Sequence, residues 1–586
     1  MCGFSGIVFA QRPEQAPDAP LIETFRRAAG RVAHRGDTEH RELLRDRVWL
    51  NHYRLAFQDV ASGRQPMLSH DRRHVIVFNG EVYNHLALRP QISHKAGTLF
   101  RTRSDTETVL EGWKAFGRAF FERLEGEYAF VISAADGGEL LAHRDRFGVK
   151  PLFLYCPELD TRDFAVFSTS YQFTTPRIEF SSEIKGLAAA KRWNREGLLR
   201  QFVGLYEPIR TPFEHLIQLP PGGLLQMHRH TDTLTCELST RADPIRTSAG
   251  GETGEAEQVF ADHLRASVSE RLLSDVELGV YLSGGVDSKV VAHELAGLVD
   301  AGQPMKSFTV GFSRSGYDET EEALRFARHA GFSPHVIHVD DDALNYAYPL
   351  AVQNSELVQP FTNGAAKWWL SLFTRQYVNG VLTGDGADEL LCGYPSYRYA
   401  NWWKFAMRGR GEARTVKETL RLIADKPLGS MGRDALYVTR FSSHAKNPWL
   451  AGSSAAGTGQ DFVDSLRMLG VPHPLFGQIR AISGAILGRD GGDQWLCEQA
   501  LSVQSWYYAG LESIAGERES PSNALLLWQN YFAKTHLPTL ILNWVGDRME
   551  MANTLEGRTP FLSNRLRRFV ATLPDRLMVH GLRDKV

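Results

Sequence analysis

Cysteine is scarce in this chain: five residues in 586, at positions 2, 156, 236, 392 and 497. The number is odd and the spacings are long. None matches a metal-ligand pair or a disulfide framework, and a reducing, cytoplasmic setting is expected. Long apolar runs are missing too. No stretch approaches the ~20 residues that cross a bilayer. The apolar run from Phe4 to Ala10 stops at Gln11, Arg12 and Pro13, too early for an export signal. An excess of one charge is also absent, with 66 Lys and Arg against 68 Asp and Glu, a net −2. That balance gives no electrostatic case for nucleic acid or a membrane surface as partner. No internal repeat is visible. What is present, 43% hydrophobic residues over this length, is enough for at least two globular cores.

The first cysteine is the odd one. It stands in MCGFSG, at a chain end, where fraying is the rule and a core cysteine has no reason to be. With Met1 removed, Cys2 would carry a thiol and a free α-amine, a nucleophile with a base on the same residue. From residue 1 to about 225 the pattern is short strands, such as 74–78 and 127–132, broken by Gly-containing turns. A polar stretch rich in Thr, Ser and Gly predicts a connector over 226–255. A helix is expected next, with Val259, Phe260, Leu264, Val268 and Leu272 on one face. Apolar strands then alternate with amphipathic helices, which predicts a largely parallel sheet in 256–586. Residues 396–530 look helical and rich in Trp and Tyr, and carry no readable motif.

The second half holds the most informative string. Leu278 to Leu282 reads as a buried strand and Ser288 to Leu298 as a helix, with Ser283-Gly284-Gly285-Val286-Asp287-Ser288 between them. Two glycines let a ligand approach the backbone, and the helix start aims unpaired N–H groups at an anion. Ser283 and Ser288 add hydroxyls, and Asp287 could hold Mg²⁺ beside phosphates. The string lacks the GxxxxGK[ST] of kinases and GTPases; it resembles the SGGxDS loop of N-type ATP pyrophosphatases. A Gly-rich turn with no ligand is the alternative. A second strand, Gly380 to Thr383, ends in Gly384-Asp385-Gly386-Ala387-Asp388-Glu389. Three carboxylates around two glycines would repel one another unless a cation is present. Alone this could be a solvated acidic turn; with Asp287 at another strand end it predicts a shared Mg²⁺–pyrophosphate site.

Taken together, the strings resemble the glutamine-dependent asparagine synthetases. The first half carries MCGFSGI, His34-Arg35-Gly36, Tyr53-Arg54-Leu55, Asn79-Gly80-Glu81-Val82-Tyr83-Asn84, Ser104-Asp105-Thr106-Glu107 and Arg144 to Pro151. The second adds SGGVDS, GDGADE, Asp547-Arg548-Met549-Glu550-Met551-Ala552 and Pro560-Phe561-Leu562. The resemblance implies an α/β and α+β protein of two domains. The first (1–225) is a class II glutaminase with the αββα sandwich of N-terminal nucleophile hydrolases. The second (256–586) is a Rossmann-like parallel α/β synthetase domain with added helices.

The resemblance also implies roles. Cys2 would attack glutamine, Asn79 and the Gly80 N–H would form the oxyanion hole, and Arg54, Glu81 and Asp105 would bind the glutamine backbone groups. Leu282, Ser283, Gly284, Gly285, Asp287, Ser288, Val310 and Gly384 would bind ATP, and Asp287 with Asp388 would hold Mg²⁺. Asp385 would assist proton transfer where some family members have Glu, and Lys585 would stabilise the adenylating phosphate. Lys289, Ser563 and the pair Asp37-Thr38 depart from the common family pattern, which suggests a divergent member. The family normally continues beyond that lysine, so further residues after Val586 are expected. The implied reaction is ATP-dependent amidation of a carboxylate, aspartate by default, with another carboxylate of specialised or cell-envelope metabolism as the alternative. A non-catalytic nucleotide-binding protein is a third reading, disfavoured by the intact Cys2 and SGGVDS. Only small-molecule substrates are expected as partners, and a homodimer is left open.

Overall fold

A computed structural model describes residues 2–12, 19–160, 170–202, 206–240, 255–299, 304–313, 318–357, 362–394, 397, 524–580 and 583–584. The first unit is built on two antiparallel sheets, of six and seven strands. Alternation along the strands explains how they stack, because successive side chains point to opposite faces. Val75, Val77, Ala129 and Val131 pack with Phe4, Val8 and Leu50 in one core between the sheets. Their neighbours Ile76, Phe78, Phe130 and Ile132 face the other way, onto Leu88, Ile92, Val109 and Leu110 of helices His85–Ala96 and Asp105–Phe116. On the far side Ile7, Phe9 and Trp49 meet Ile22 and Phe25 of helix Ala19–Gly30. The order is helix, sheet, sheet, helix, as the resemblance implies.

One boundary is corrected. The expected connector begins at 226, but strands Leu224–Arg229 and Leu234–Ser239 pair with each other and with Glu139–Arg144 and Ser170–Thr175 inside the seven-stranded sheet. Leu225, Met227, Leu234, Cys236 and Leu238 are fully buried, while the residues between them include the polar ones that read as a connector. The first unit's sheet therefore runs to Ser239. The aromatic-rich stretch 396–530 lies outside the described residues, apart from Tyr397 and the start of helix Ala524–Lys534.

The second unit is a five-stranded parallel sheet in the order Ser333–Val339, Lys306–Phe312, Leu278–Tyr281, Gly380–Leu382, Glu556–Arg558. Chain order runs outward from Leu278–Tyr281 in one direction and then resumes on its other side. That is a topological switch point, where ligands bind beyond the carboxyl ends of strands. The strand Leu278–Tyr281 feeds helix Val286–Ala296, two residues earlier than expected at each end. The expected helix after the connector is Ala256–Glu270, with Leu264 and Val268 fully buried in the core of the second unit.

Charged side chains buried between the units join them. Arg35 Nη1 lies 2.8 Å from Glu183 and its Nη2 2.9 Å from Asp547, while Arg548 reaches Glu183 at 3.3 Å and also pairs with Glu356. Both arginines are fully buried. Glu127 of the first unit accepts from Arg271 Nε at 2.8 Å and from the Thr559 N–H at 3.0 Å. Lys150 Nζ donates to the Gly557 carbonyl at 3.1 Å. Removing one partner of a buried pair strands the other charge in a low-dielectric interior. Arg35→Met is therefore expected to destabilise the protein by about 3–5 kcal/mol, measured as a lower midpoint of chemical denaturation.

Candidate active sites

The first site lies where strand Gly3–Phe9 begins. Cys2 is buried; its N–H donates to Asn79 Oδ1 at 2.9 Å and its thiol points to the Leu55 carbonyl at 3.9 Å. Burial pushes the thiol above its ordinary pKa, partly offset by the nearby Arg54 cation. Such a thiol rests protonated and needs a base to attack. With its oxygen engaged, the Asn79 amide leaves its Nδ2 buried and without a hydrogen-bond partner among the described residues. An orphaned buried donor is costly, and here it faces the neighbourhood of the nucleophile. Gly80 follows at φ +129°, and a Cβ there would lie 2.0 Å from the Glu127 carbonyl oxygen, so only glycine fits.

Three further expected residues gather around it. Arg54 Nη1 donates to the Val60 carbonyl at 2.9 Å and Nη2 to the Asp59 carbonyl at 2.7 Å, which folds the 58–60 loop around the guanidinium. Asp105 opens its helix and accepts from the Val82 N–H at 2.9 Å. Burial pushes its carboxyl up to about 6 against the pull of these N–H donors. Glu81, which meets Gln58, is pushed well above the carboxylate range by burial and by the charge of Asp105.

The second site is a cleft of about 330 Å³ at the switch point. Leu282, Ser283, Gly285, Asp287, Ser288, Val310, Gly384, Asp385 and Asp388 all line it. The loops meet closely: a Cβ on Gly384 would come 3.0 Å from the Ser288 nitrogen and 3.2 Å from the Asp287 Cβ. Gly384 is therefore where one strand-end loop can pack against the other. Within the first loop, the Ser283 N–H donates to Ser288 Oγ at 3.0 Å and the Gly285 N–H to Ser283 Oγ at 3.1 Å. Gly284 is not part of the lining; its N–H donates to Glu319 Oε2 at 2.9 Å, so a carboxylate already occupies an anion position at this loop.

The acidic loop handles its charge differently from the expectation of three like charges. Glu389 is buried, accepts from the Tyr394 hydroxyl at 2.6 Å, and is pushed up to about 8 by burial, which favours its neutral form. Asp385 has a cation nearby, Lys367 Nζ at 3.8 Å. No group of three or more His, Cys, Asp and Glu able to hold a metal occurs among the described residues. Two carboxylates, Asp287 and Asp388, on one cleft fit Mg²⁺ when it is shared with phosphates. Lys585 lies outside the described residues; the adjacent Arg583–Asp584 strand pairs with Val579–His580.

Sequence reading missed Lys367, Glu319 and Glu550. Lys367 is the one charge in the apolar helix Asn363–Thr374, which was a signal available in the sequence. Glu550 lies within a quoted string, DRMEMA, but received no role.

Comparison with known proteins agrees with this geometry. Residues 1–236 match the glutamine amidotransferase domain family, and residues 259–586 match the asparagine synthase family. The Penicillium rubens protein named amidase chyE is 27% identical over the whole of this chain and 84% of its own length. Asparagine synthetase 1 of Bacillus subtilis is 28% identical over 68% of this chain and 60% of its own length. Asparagine synthetase 2 of the same organism is 24% identical over all of this chain and 68% of its own. With an N-terminal nucleophile sandwich joined to a parallel-sheet cleft, the chain belongs to the glutamine-dependent asparagine synthetase family and is a glutamine-dependent, ATP-using amidotransferase.

Proposed function

We propose that the chain hydrolyses glutamine at Cys2 and uses the ammonia to amidate a carboxylate activated by ATP, with aspartate to asparagine as the first assignment. The observation that carries this reading is the convergence of the two strand-end loops on one cleft, with the nucleophile site held against the same unit by buried ion pairs. Once Met1 is removed, the Cys2 α-amine takes the thiol proton and Sγ attacks the glutamine carboxamide carbon. The unclaimed Asn79 Nδ2 and the Gly80 N–H stabilise the oxyanion. Ammonia leaves with the proton from the α-amine, and water then releases glutamate from the thioester.

In the cleft, Ser283, Ser288 and the loop N–H groups hold the nucleotide phosphates, and the Glu319 carboxylate must give way at the Gly284 N–H. Asp287 and Asp388 would hold Mg²⁺, whose charge offsets that of the phosphates. The acceptor carboxylate oxygen bonds to the α-phosphorus and pyrophosphate departs. Ammonia then attacks the acyl carbon, AMP leaves, and Asp385 accepts the surplus proton. The buried free cysteines Cys2, Cys156, Cys236 and Cys392 suit a reducing cytoplasm.

A second acceptor has its own support: a relative aligned over the whole of this chain is named an amidase, and Lys367, which lines the cleft and pairs with Glu550 behind it, stands outside every motif used above. Pyrophosphate release with glutamine and ATP, screened over carboxylates, decides between them. Strong, saturable release with aspartate alone supports the first assignment, and release with another acid but not aspartate overturns it.

Asp105 gives a pH prediction. It must be ionised to hold the glutamine ammonium, and its free-enzyme carboxyl titrates at about 6. Protonation follows as pH falls, so kcat/KM for glutamine should drop about tenfold per unit below that value. The Asp105 charge also raises the Glu81 carboxyl, so the limb belongs to the pair. Asp105→Asn should raise KM and flatten the limb in a glutaminase pH profile.

A further inference from the structure

The cleft has a charge imbalance. Among the described residues that line it, four carboxylates, Asp287, Glu319, Asp385 and Asp388, stand against one basic residue, Lys367, with Glu389 set aside because burial pushes its carboxyl up to about 8. A site that takes a nucleotide triphosphate and a second anion needs cations for both, because an unpaired anion cannot be desolvated cheaply. Mg²⁺ at Asp287 and Asp388 would serve the phosphates. For the second anion, the carboxylate to be activated, the described lining offers Lys367.

We propose that Lys367 grips the acceptor carboxylate and that Glu550 aims it. This rests on the amidotransferase reading above. The Lys367 side chain is 10% exposed, with Nζ 3.0 Å from Glu550 Oε1, 3.8 Å from Asp385 Oδ2 and 4.2 Å from the centre of the Tyr281 ring. A lysine in the apolar helix NGAAKWWLSLFT is buried at a cost, and here three partners from three other elements offset it. An ammonium has three donors. Glu550 holds it at hydrogen-bond distance from behind, whereas the longer Asp385 contact leaves room on the cleft side.

Glu550 is itself built in. It is buried, and a Cβ on Gly557 would lie 1.9 Å from its Oε2, so the absent side chain at 557 is what admits the carboxylate. Gly557 lies on strand Glu556–Arg558, next to Gly380–Leu382, whose loop carries Asp385. An acid held on Lys367 would therefore sit beside Asp385, where the surplus proton of amide formation must go. Lys367 is on this account an acceptor-binding residue, and Glu550 a positioning residue acting through it.

The test uses the full chain with Lys367→Gln, Lys367→Arg and Glu550→Gln. Mg·ATP binding is measured by calorimetry. KM and kcat for the acceptor come from pyrophosphate–ATP exchange, using aspartate first and otherwise the acid that wild type activates most strongly. Lys367→Gln should raise the acceptor KM at least about tenfold while the Mg·ATP Kd stays within about twofold. Lys367→Arg should restore most of the loss, and Glu550→Gln should raise KM less, with kcat largely kept. Weaker Mg·ATP binding with an unchanged acceptor KM would assign Lys367 to the phosphates and overturn the inference. So would a fall in kcat alone, or a lower melting temperature with both constants unchanged. Wild type that binds Mg·ATP yet exchanges with no carboxylate also overturns it, whereas wild type that binds no Mg·ATP contradicts the amidotransferase reading itself.

Discussion

Replacing Cys2 by alanine should lower glutamine-dependent synthesis by about a thousandfold or more, while synthesis driven by added ammonia stays within about threefold of wild type. The asymmetry follows from where the atoms are. Sγ lies 3.9 Å from the Leu55 carbonyl, and Cys2 is in the first unit, whereas the cleft is formed by the second. No other described cysteine can substitute. Cys156 and Cys236 sit in the core between the sheets, and burial pushes the Cys236 thiol up to about 12 and that of Cys156 well above its usual range. Loss of one sulfur from a buried site is a small packing change. Equal loss of both activities would show that the two sites do not divide the reaction as described. Mass spectrometry of active protein should also show Met1 removed, since a blocked α-amine cannot take the thiol proton.

The second large effect belongs to Asp388. Asp388→Asn keeps the shape of the loop and removes a charge, and should lower pyrophosphate–ATP exchange by about a hundredfold or more while glutaminase activity persists. Asp287→Asn should do the same. The two residues are far apart in the chain, yet Gly384 of one loop packs directly on Asp287 of the other. Exchange by the Asp388 variant at the wild-type rate, at ordinary Mg²⁺, would remove that residue from the site.

What could be read in advance was local in sequence. SGGVDS and GDGADE are contiguous strings at strand ends, so their neighbours in the chain already state their setting. Asn79 and Gly80 are likewise adjacent on one strand. What escaped depends on distant segments meeting. Lys367 and Glu550 are brought together only by packing of helix Asn363–Thr374 against the short helix Arg548–Met551, and Arg35 and Asp547 stand 512 residues apart. No local pattern encodes such pairs. The strands Leu224–Arg229 and Leu234–Ser239 were read as connector for a different reason. With one face on the core and the other polar, as antiparallel sheets allow, their Thr, Ser and Arg content resembles a loop. The setting of Glu389 in GDGADE also escaped, because burial pushes its carboxyl up to about 8 and burial is not visible in a string of letters.

The central claim is that nitrogen released at Cys2 ends on a carboxylate activated in the second cleft. Glutamine labelled with ¹⁵N in its side-chain amide, supplied with ATP, Mg²⁺ and the carboxylate that gives the strongest pyrophosphate release, tests it in one reaction. The account predicts ¹⁵N in the new amide, with AMP and pyrophosphate formed in equal amounts to the product. Unlabelled product, or ADP and phosphate in place of AMP and pyrophosphate, would contradict it.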